Sequence, residues 1–317
     1  MALEPVRGEL AVGCAFFNPF HSELRVANFR RFRAGIRAAG VPMLTVELAF
    51  DEGPSELGDL EDVLTVRDGD VLWQKEGLLR LAGHELIRRG ADQILFLDAD
   101  IRFLDPDWPR AVRQAFGLAP LIQPFEYATR DLGREERVQR AVAANHRVVR
   151  GKGVTSYGLG WGMHSQLFEA VSLFPHCVIG GGDRLISYGA SLRPGTTPDP
   201  DQLAADLRVA RYVSYETRMA MAAWMAKLSA AIDGRWHYAE TAVESFFHCS
   251  PEARNYEERH KLLERFDPVL HLATDSGGAL RWSDAGRDRY AGLVSQYLEG
   301  RAVSERQGRP RATGEPV

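Results

Sequence analysis

Between Leu10 and Asp100 the sequence alternates strand-like and helix-like patterns, and this order constrains the fold more than any single motif. "LAVGCAFF" (Leu10 to Phe17) is a short apolar run closed by Asn18, Pro19 and Phe20, the pattern of a buried strand ending in a turn. In "RVANFRRFRAGIRAAG", Phe29, Phe32 and Ile36 recur at helical spacing, and Gly40 suits the helix end. "VPMLTVELAF" is a second strand, rich in β-branched and aromatic residues. After an acidic loop, "VLWQKEGLLRLAGHELIRRG" sets Leu78, Leu81, Ala82 and Leu86 on one helix face and stops at Arg88, Arg89 and Gly90. "QILFLDAD" is the third strand. Strand, helix, strand, helix, strand predicts a parallel sheet with helices packed on it. Such sheets bind ligands outside the carboxyl ends of their strands. Asn18, Glu47 and the pair Asp98/Asp100 fall at or near those ends.

Further on, "WPRAVRQAFG" reads as a short helix and "APLIQPF" as a strand. The charged stretch "REERVQRAVAANHRVVRG" has the composition of an exposed helix. "GLGWGMHSQLFEAVSLF" passes from a glycine-rich approach into a helix, and "VIGGGDRLISYG" from a turn into another. The chain from Pro198 to Ile232 reads as mostly helical, "YAETAVESFFHC" as a late strand, "EARNYEERHKLLERF" as a helix, and "DPVLHLATDSGGALRW" as a loop–strand element. The polar segment 304–317 is expected to be a disordered tail. These elements predict an α/β fold with a mostly parallel central sheet flanked by helices and a helical C-terminal portion. A single domain is expected over residues 1–303, its halves being 1–150 and 151–303.

With 317 residues, 45% hydrophobic and 26% charged, the chain has an ordinary globular composition. A formal net charge of −4 gives no global basic field, so nucleic acid enters only as a conceivable acceptor. Cys14, Cys177 and Cys249 are too few and too scattered for a disulfide framework or a zinc ribbon, which fits a reducing compartment. "MALEPVRGEL" lacks the pattern of a signal peptide, and no run of about 18 apolar residues suggests a membrane span. A cytoplasmic location is the expectation.

Charged carboxylates at the end of an apolar strand are costly unless something positive meets them. Residues two apart on a strand point to the same side, so Asp98 and Asp100 can share one cation. Carboxylate oxygens suit Mg2+ or Mn2+, which also bind substrate phosphates. The plainer alternative is a turn or a helix cap. "ILFLDADIRF" resembles the D-x-D strand end of glycosyltransferases of the GT-A fold. In the same order, "AVGCAFFNP" and "LTVELAF" are similar to that fold's first two strands, and "WQKEGLLRL" to the helix before its metal strand. "GLGWGMHSQLFEAVSLF" followed by "IGGGD" resembles the acceptor-side segment. The resemblance is closest over residues 9–190 and looser as far as residue 290. It implies a GT-A-like, Rossmann-related fold with a metal on Asp98 and Asp100 against the diphosphate of a UDP- or GDP-type sugar donor. It also implies that a late histidine, here His248, completes the metal site, and that Asp183 is the base of an inverting enzyme. Many members carry two acids in sequence where this chain has Gly182 and then Asp183.

Each candidate also has a structural alternative. The glycines before Asp183 allow close approach of a ligand, and its carboxylate can take the proton of an attacking hydroxyl, or it can cap a helix. His248 is a metal ligand or an ordinary histidine, and mixed carboxylate–imidazole ligation would lean toward Mn2+. Lys75 is a point charge for a phosphate or a solvated side chain. Asn18 makes an Asx turn or touches the nucleoside. Glu47, between Val46 and Leu48, faces the ribose or faces water from an edge strand. Trp161 is a wall for a sugar or a core residue. Arg254, Arg259 and Lys261 meet the pyrophosphate or are helix-surface charges among glutamates. The leading expectation is an inverting, divalent-metal-dependent glycosyltransferase with a hydroxyl acceptor. A catalytically inactive nucleotide- or carbohydrate-binding relative is the alternative. A sugar-nucleotide nucleotidylyltransferase ranks lower, because "FFNPFHSELR" lacks a glycine-rich phosphate loop.

Overall fold

The computed structural model describes residues 10–50, 55–133, 135–145, 155–273 and 278–307. In chain order the first half contains β1 (Leu10–Phe17), α1 (Glu23–Ala38), β2 (Met43–Leu48), β3 (Val63–Val66), α2 (Lys75–Arg88) and β4 (Gln93–Leu97). It continues with β5 (Ile101–Phe103), α3 (Trp108–Leu118), β6 (Leu121–Gln123), β7 (Tyr127–Asp131), β8 (Glu136–Ala141) and α4 (Val142–Asn145). The second half opens with β9 (Thr155–Ser156), β10 (Gly160–His164), α5 (Ser165–Val171), α6 (Gly182–Ser191), α7 (Pro200–Asp206), α8 (Arg208–Arg211) and α9 (Tyr215–Ile232). It closes with β11 (Trp236–Tyr238), β12 (Ala242–Ser245), α10 (Pro251–Arg254), α11 (Pro268–His271), β13 (Leu272–Ala273), β14 (Arg281–Trp282), α12 (Asp284–Gly286) and α13 (Gly292–Gln307).

Seven strands form the central sheet in the order β11-β6-β10-β4-β1-β2-β3. The run β4-β1-β2-β3 is parallel, and β10 lies antiparallel between β4 and β6. This is the expected mixed α/β architecture, with helices on both faces. Alternation along the strands builds both cores. Ala11, Phe17, Leu44, Val46, Ile94 and Phe96 pack with Leu78, Ala82 and Leu86 of α2 on one face. Leu10, Val12, Phe16, Met43, Leu95 and Leu97 pack with Phe29, Phe32 and Ile36 of α1 on the other. Each fully buried phenylalanine contributes about 1.5–3 kcal/mol relative to exposure. A third core, around Met221, Met225, Phe266 and Tyr290, supports the helical C-terminal portion. Among the described residues, no helix is long and apolar enough to cross a membrane.

Four expectations are corrected. The stretch expected as an exposed helix is strand β8 over Glu136–Ala141, followed by the short α4; residues 146–150 lie outside those described. β8 pairs antiparallel with β7 in a second sheet, ordered β5-β12-β7-β8-β9, so strand pairing overrides composition. The late strand is two short strands, and Phe246 to Cys249 lie beyond the second. The helix expected after Pro251 stops at Arg254, because Asn255 turns left-handed (φ 41°); a 3-10 turn follows at Arg259–Leu263. The expected tail begins too early. Ser304 to Gln307 continue α13, where buried Glu305 pairs with Arg25 Nη2 at 2.6 Å. Residues 308–317 lie outside those described.

Candidate functional site

β4 ends at Leu97, and Asp98 to Asp100 turn the chain into β5. The Asp98 N–H still donates to the Leu159 carbonyl at 3.0 Å, which ties the turn to the approach of β10. β5 then pairs antiparallel with β12, with Ile101 opposite Ser245, and the Phe246 N–H donates to the Asp100 carbonyl at 2.8 Å. This register delivers His248 to Asp100: Nδ1 and Oδ2 are 2.5 Å apart. Asp98 has a different partner, Lys75, whose Nζ lies 2.6 Å from Oδ1. The same ammonium is 3.3 Å from Asp183 Oδ2. The positive groups that two strand-end carboxylates require are therefore a lysine and a histidine.

Lys75 is placed by its neighbour. Gln74 is fully buried at the start of α2; its Nε2 donates to the Asp70 and Leu280 carbonyls and its Oε1 accepts from the Leu280 N–H. Asp183 sits in the first turn of α6, where the helix dipole favours a carboxylate. The expected helix cap is not made: Gly181 is the N-cap and no side chain caps this end. The glycines are needed for the backbone. Gly180 and Gly181 have φ of 86° and 116°, and a side chain at position 182 would overlap the Glu76 carboxyl.

Charge and burial compete here. Burial pushes the Asp183 carboxyl above the usual range; Lys75 opposes this and Asp98 adds to it. Burial would lower Lys75, but Asp183 and Asp98 more than reverse that and keep it charged. Burial also raises Glu76, to about 7, and its Oε2 has no hydrogen-bond partner. For Asp100, burial is outweighed by His248 and Arg254, which hold it below the usual carboxylate range. Burial and Arg254 push His248 down, and Asp100 helps to reverse this and hold it above its ordinary value.

The divalent ion implied by the D-x-D resemblance fits this donor set in part. Asp100 and His248 converge as a hydrogen-bonded pair with the histidine held protonated, so an ion there would first have to displace the proton they share before phosphates and water completed its ligands. Asp98 is held by Lys75 instead. Among the described residues, no group of three or more His, Cys, Asp or Glu side chains is placed to hold a metal. Of the expected trio, Asp100 is paired with His248 and Asp98 with Lys75.

The donor-side expectations divide. Asn18 and Glu47 line one small pocket with Phe16, His21, Ser55 and Glu56. Glu47 is not on an edge strand, since β2 lies between β1 and β3, and it is only 2% exposed. It accepts from the N–H groups of Glu56 (2.8 Å) and Leu57 (3.2 Å). Asn18 accepts from the Ser22 N–H and donates to Glu56 at 2.7 Å. Trp161 is a core residue and no sugar wall: it is 1% exposed within β10, stacks on Trp236 and donates Nε1–H to the Tyr157 carbonyl. Arg254 and Arg259 are buried rather than helix-surface charges, whereas Lys261 is exposed and pairs with Glu258. Sequence reasoning gave Glu76 no role and missed Arg130 and Tyr256. The overlooked signals are an acid directly after Lys75 and an aromatic residue set between two arginines shortly after His248.

No family model matches the sequence, and no curated protein does. Similar solved structures include a putative nucleotide-diphospho-sugar transferase from Desulfovibrio desulfuricans G20, at 9% identity over 81% of this chain and 94% of that one, TM-score 0.36. Glucosyl-3-phosphoglycerate synthase from Mycobacterium tuberculosis, in complex with Mg2+ and uridine diphosphate, is 10% identical over 86% and 85%, TM-score 0.35. The catalytic domain of Drosophila beta1,4galactosyltransferase 7, in complex with xylobiose, is 11% identical over 56% and 59%, TM-score 0.32. The matched part thus spans 59% of that Drosophila domain. Likenesses this distant carry no argument about activity, and the fold class rests on the strand order itself.

Proposed function

We propose that this protein is a glycosyltransferase that moves a sugar from a UDP- or GDP-type donor to a hydroxyl acceptor. The observation that carries the reading is the meeting of Asp98 and Asp183 on one partly buried ammonium, beside the Asp100–His248 pair. Asp183 acts as the general base. Its raised pKa keeps it basic enough to take the acceptor proton, and Lys75 holds its carboxylate in place. The acceptor oxygen then attacks the anomeric carbon once, which inverts it. Lys75 doubles as the cation nearest the strand end, ready to meet donor phosphate. A divalent ion on Asp100 and His248 would supply Lewis-acid neutralisation of the departing diphosphate.

The test is a thermal-shift screen of UDP- and GDP-sugars with Mn2+, followed by a transfer assay on wild type and Asp183→Asn. The reading expects a donor that raises the melting temperature and an Asp183→Asn protein that still binds it but no longer transfers. Full transfer by Asp183→Asn sinks the mechanism. Donor binding without turnover in wild type would instead make the protein an inactive binding relative. That second reading has one observation in its favour: Lys75 already occupies both Asp98 and Asp183.

A further inference from the structure

α2 serves more than the candidate site. Lys75 turns toward Asp98 and Asp183, and Glu76 lies against Gly182. Gly77, Arg80, Leu81 and His84 recur at three- and four-residue spacing, so they share another face of the helix. That face floors a separate cavity of about 480 Å3, a size typical of small-molecule sites. Two glycines bring one wall of the cavity down onto the helix. A side chain at Gly77 would come within 2.9 Å of the Gly278 carbonyl oxygen, and one at Gly278, where φ is 81°, would overlap Leu81. Leu280 continues this wall, with its carbonyl and N–H held by Gln74. Pro175 and His176, and Val269 of α11, line the rest with Leu272.

The lining divides into an apolar part and a polar part. Leu81, Leu272, Leu280 and Val269 are apolar, and Val269 is left 86% exposed, a surface that gains from being covered. Arg80, His84 and His176 supply the polar part, and among the described residues the lining includes no acid. Arg80 is half-buried; its Nε donates to Ser172 Oγ at 3.2 Å, and among the described residues it pairs with no carboxylate. Burial lowers its pKa, and no acid opposes the shift. Of the two acids on α2, Glu85 is taken by Arg88 and Arg89, and Glu76 faces Gly182. Burial and then Arg80 hold His176 below its ordinary value against the pull of Asp267, so at neutral pH it is an uncharged imidazole near the guanidinium. A half-buried guanidinium without an anion is costly, and its planar fork matches a carboxylate. A single guanidinium balances a monoanion better than a dianion.

We propose that this cavity binds a small amphipathic carboxylate, its acid group on Arg80 and its apolar body against Leu81, Leu272, Leu280 and Val269.

The test is calorimetric titration of the full chain with octanoate, octanol, octylamine and octyl phosphate, each below its micelle concentration. Octanoate is expected to bind at one site per chain, about 10-fold or more tightly than octanol, the worth of a charge-assisted hydrogen bond. Octylamine should bind more weakly than octanol. Arg80→Gln should bring octanoate down to the octanol level and leave octanol unchanged. Should Arg80→Gln fail to fold, Val269→Glu carries the test: at so exposed a position the fold is kept, and the added charge should weaken octanoate several-fold. No octanoate binding by wild type, equal binding of octanoate and octanol, or full octanoate affinity in Arg80→Gln overturns the proposal. Tighter binding of octyl phosphate than of octanoate also overturns it, in favour of a phosphate monoester. None of these residues belongs to the candidate site, so an absence of octanoate binding leaves the glycosyltransferase reading intact, and an absence of transfer leaves this cavity intact.

Discussion

Glu47 is a buried carboxylate and Asp183 a partly buried one, 27% exposed at its side chain, and their surroundings suit them to opposite tasks. Glu47 gives its oxygens to its own chain: two backbone N–H groups on Oε1 and Thr65 Oγ1 at 3.4 Å from Oε2. It organises the loop after residue 54. Asp183 shares one ammonium with Asp98 and lies against a glycine, Gly158, where a side chain would crowd its Oδ2. A carboxylate satisfied by backbone builds structure, whereas one held only by a lysine and partly exposed is available to a ligand. Glu76, between the two in character, is buried with one oxygen unpartnered. The same chemical change, acid to amide, can therefore be made at three sites to break this comparison.

The largest effect is expected at Asp183. Asp183→Asn keeps the shape and removes the base of the proposed reaction, so on that reading kcat should fall by about 100- to 10,000-fold with little change in donor KM. Steady-state kinetics with the donor found in the screen measures this, and a loss confined to KM would move Asp183 from catalysis to binding. Next is Glu76, where the readout is stability. Its folded pKa of about 7 lies above its unfolded value of 4.5, so the native state holds the proton more tightly. That contribution is complete below pH 4.5 and is lost as pH rises through 7. A shift of this size corresponds to about 3 kcal/mol. Urea melts between pH 4 and 8 should show the decline in wild type and a flatter profile in Glu76→Gln. An unchanged slope would mean that Lys75 keeps Glu76 ionised throughout.

The first half of the fold is legible in the sequence because a sheet buried on both faces leaves apolar runs that only strands of that length explain. Phe29, Phe32 and Ile36 then identify the helix that covers them. β8 is not legible, since Glu136 to Arg140 are charged or partly exposed and their strand state comes from pairing with β7. α13 is hidden for a related reason: its buried face includes Arg301 and Glu305, which interrupt the apolar stripe. In the site, the acids are visible as residue types, but their partners are not. Lys75 and Asp183 are 108 positions apart, and nothing local to either one announces the meeting. Trp161 shows the converse, since flanking glycines suggest an open wall while the strand register places it in the core.

The smallest effect is expected at Glu47, and it sharpens the contrast most. In Glu47→Gln the amide oxygen can still accept from the Glu56 and Leu57 N–H groups, while the new NH2 can donate toward Thr65 Oγ1. The loop keeps its partners, so stability should change by less than about 1 kcal/mol. Donor KM should change by less than about threefold if Glu47 serves only its own loop, since that corresponds to under about 0.7 kcal/mol. A ribose hydroxyl that donates to Glu47 would give a different result. The carboxylate-to-amide change would then weaken a charge-assisted bond, and donor KM would rise about 10-fold with the fold unchanged. Measuring donor KM and the urea midpoint on the same protein separates the two roles. A KM effect without a stability effect would show that Glu47 serves the ligand as well as its own loop.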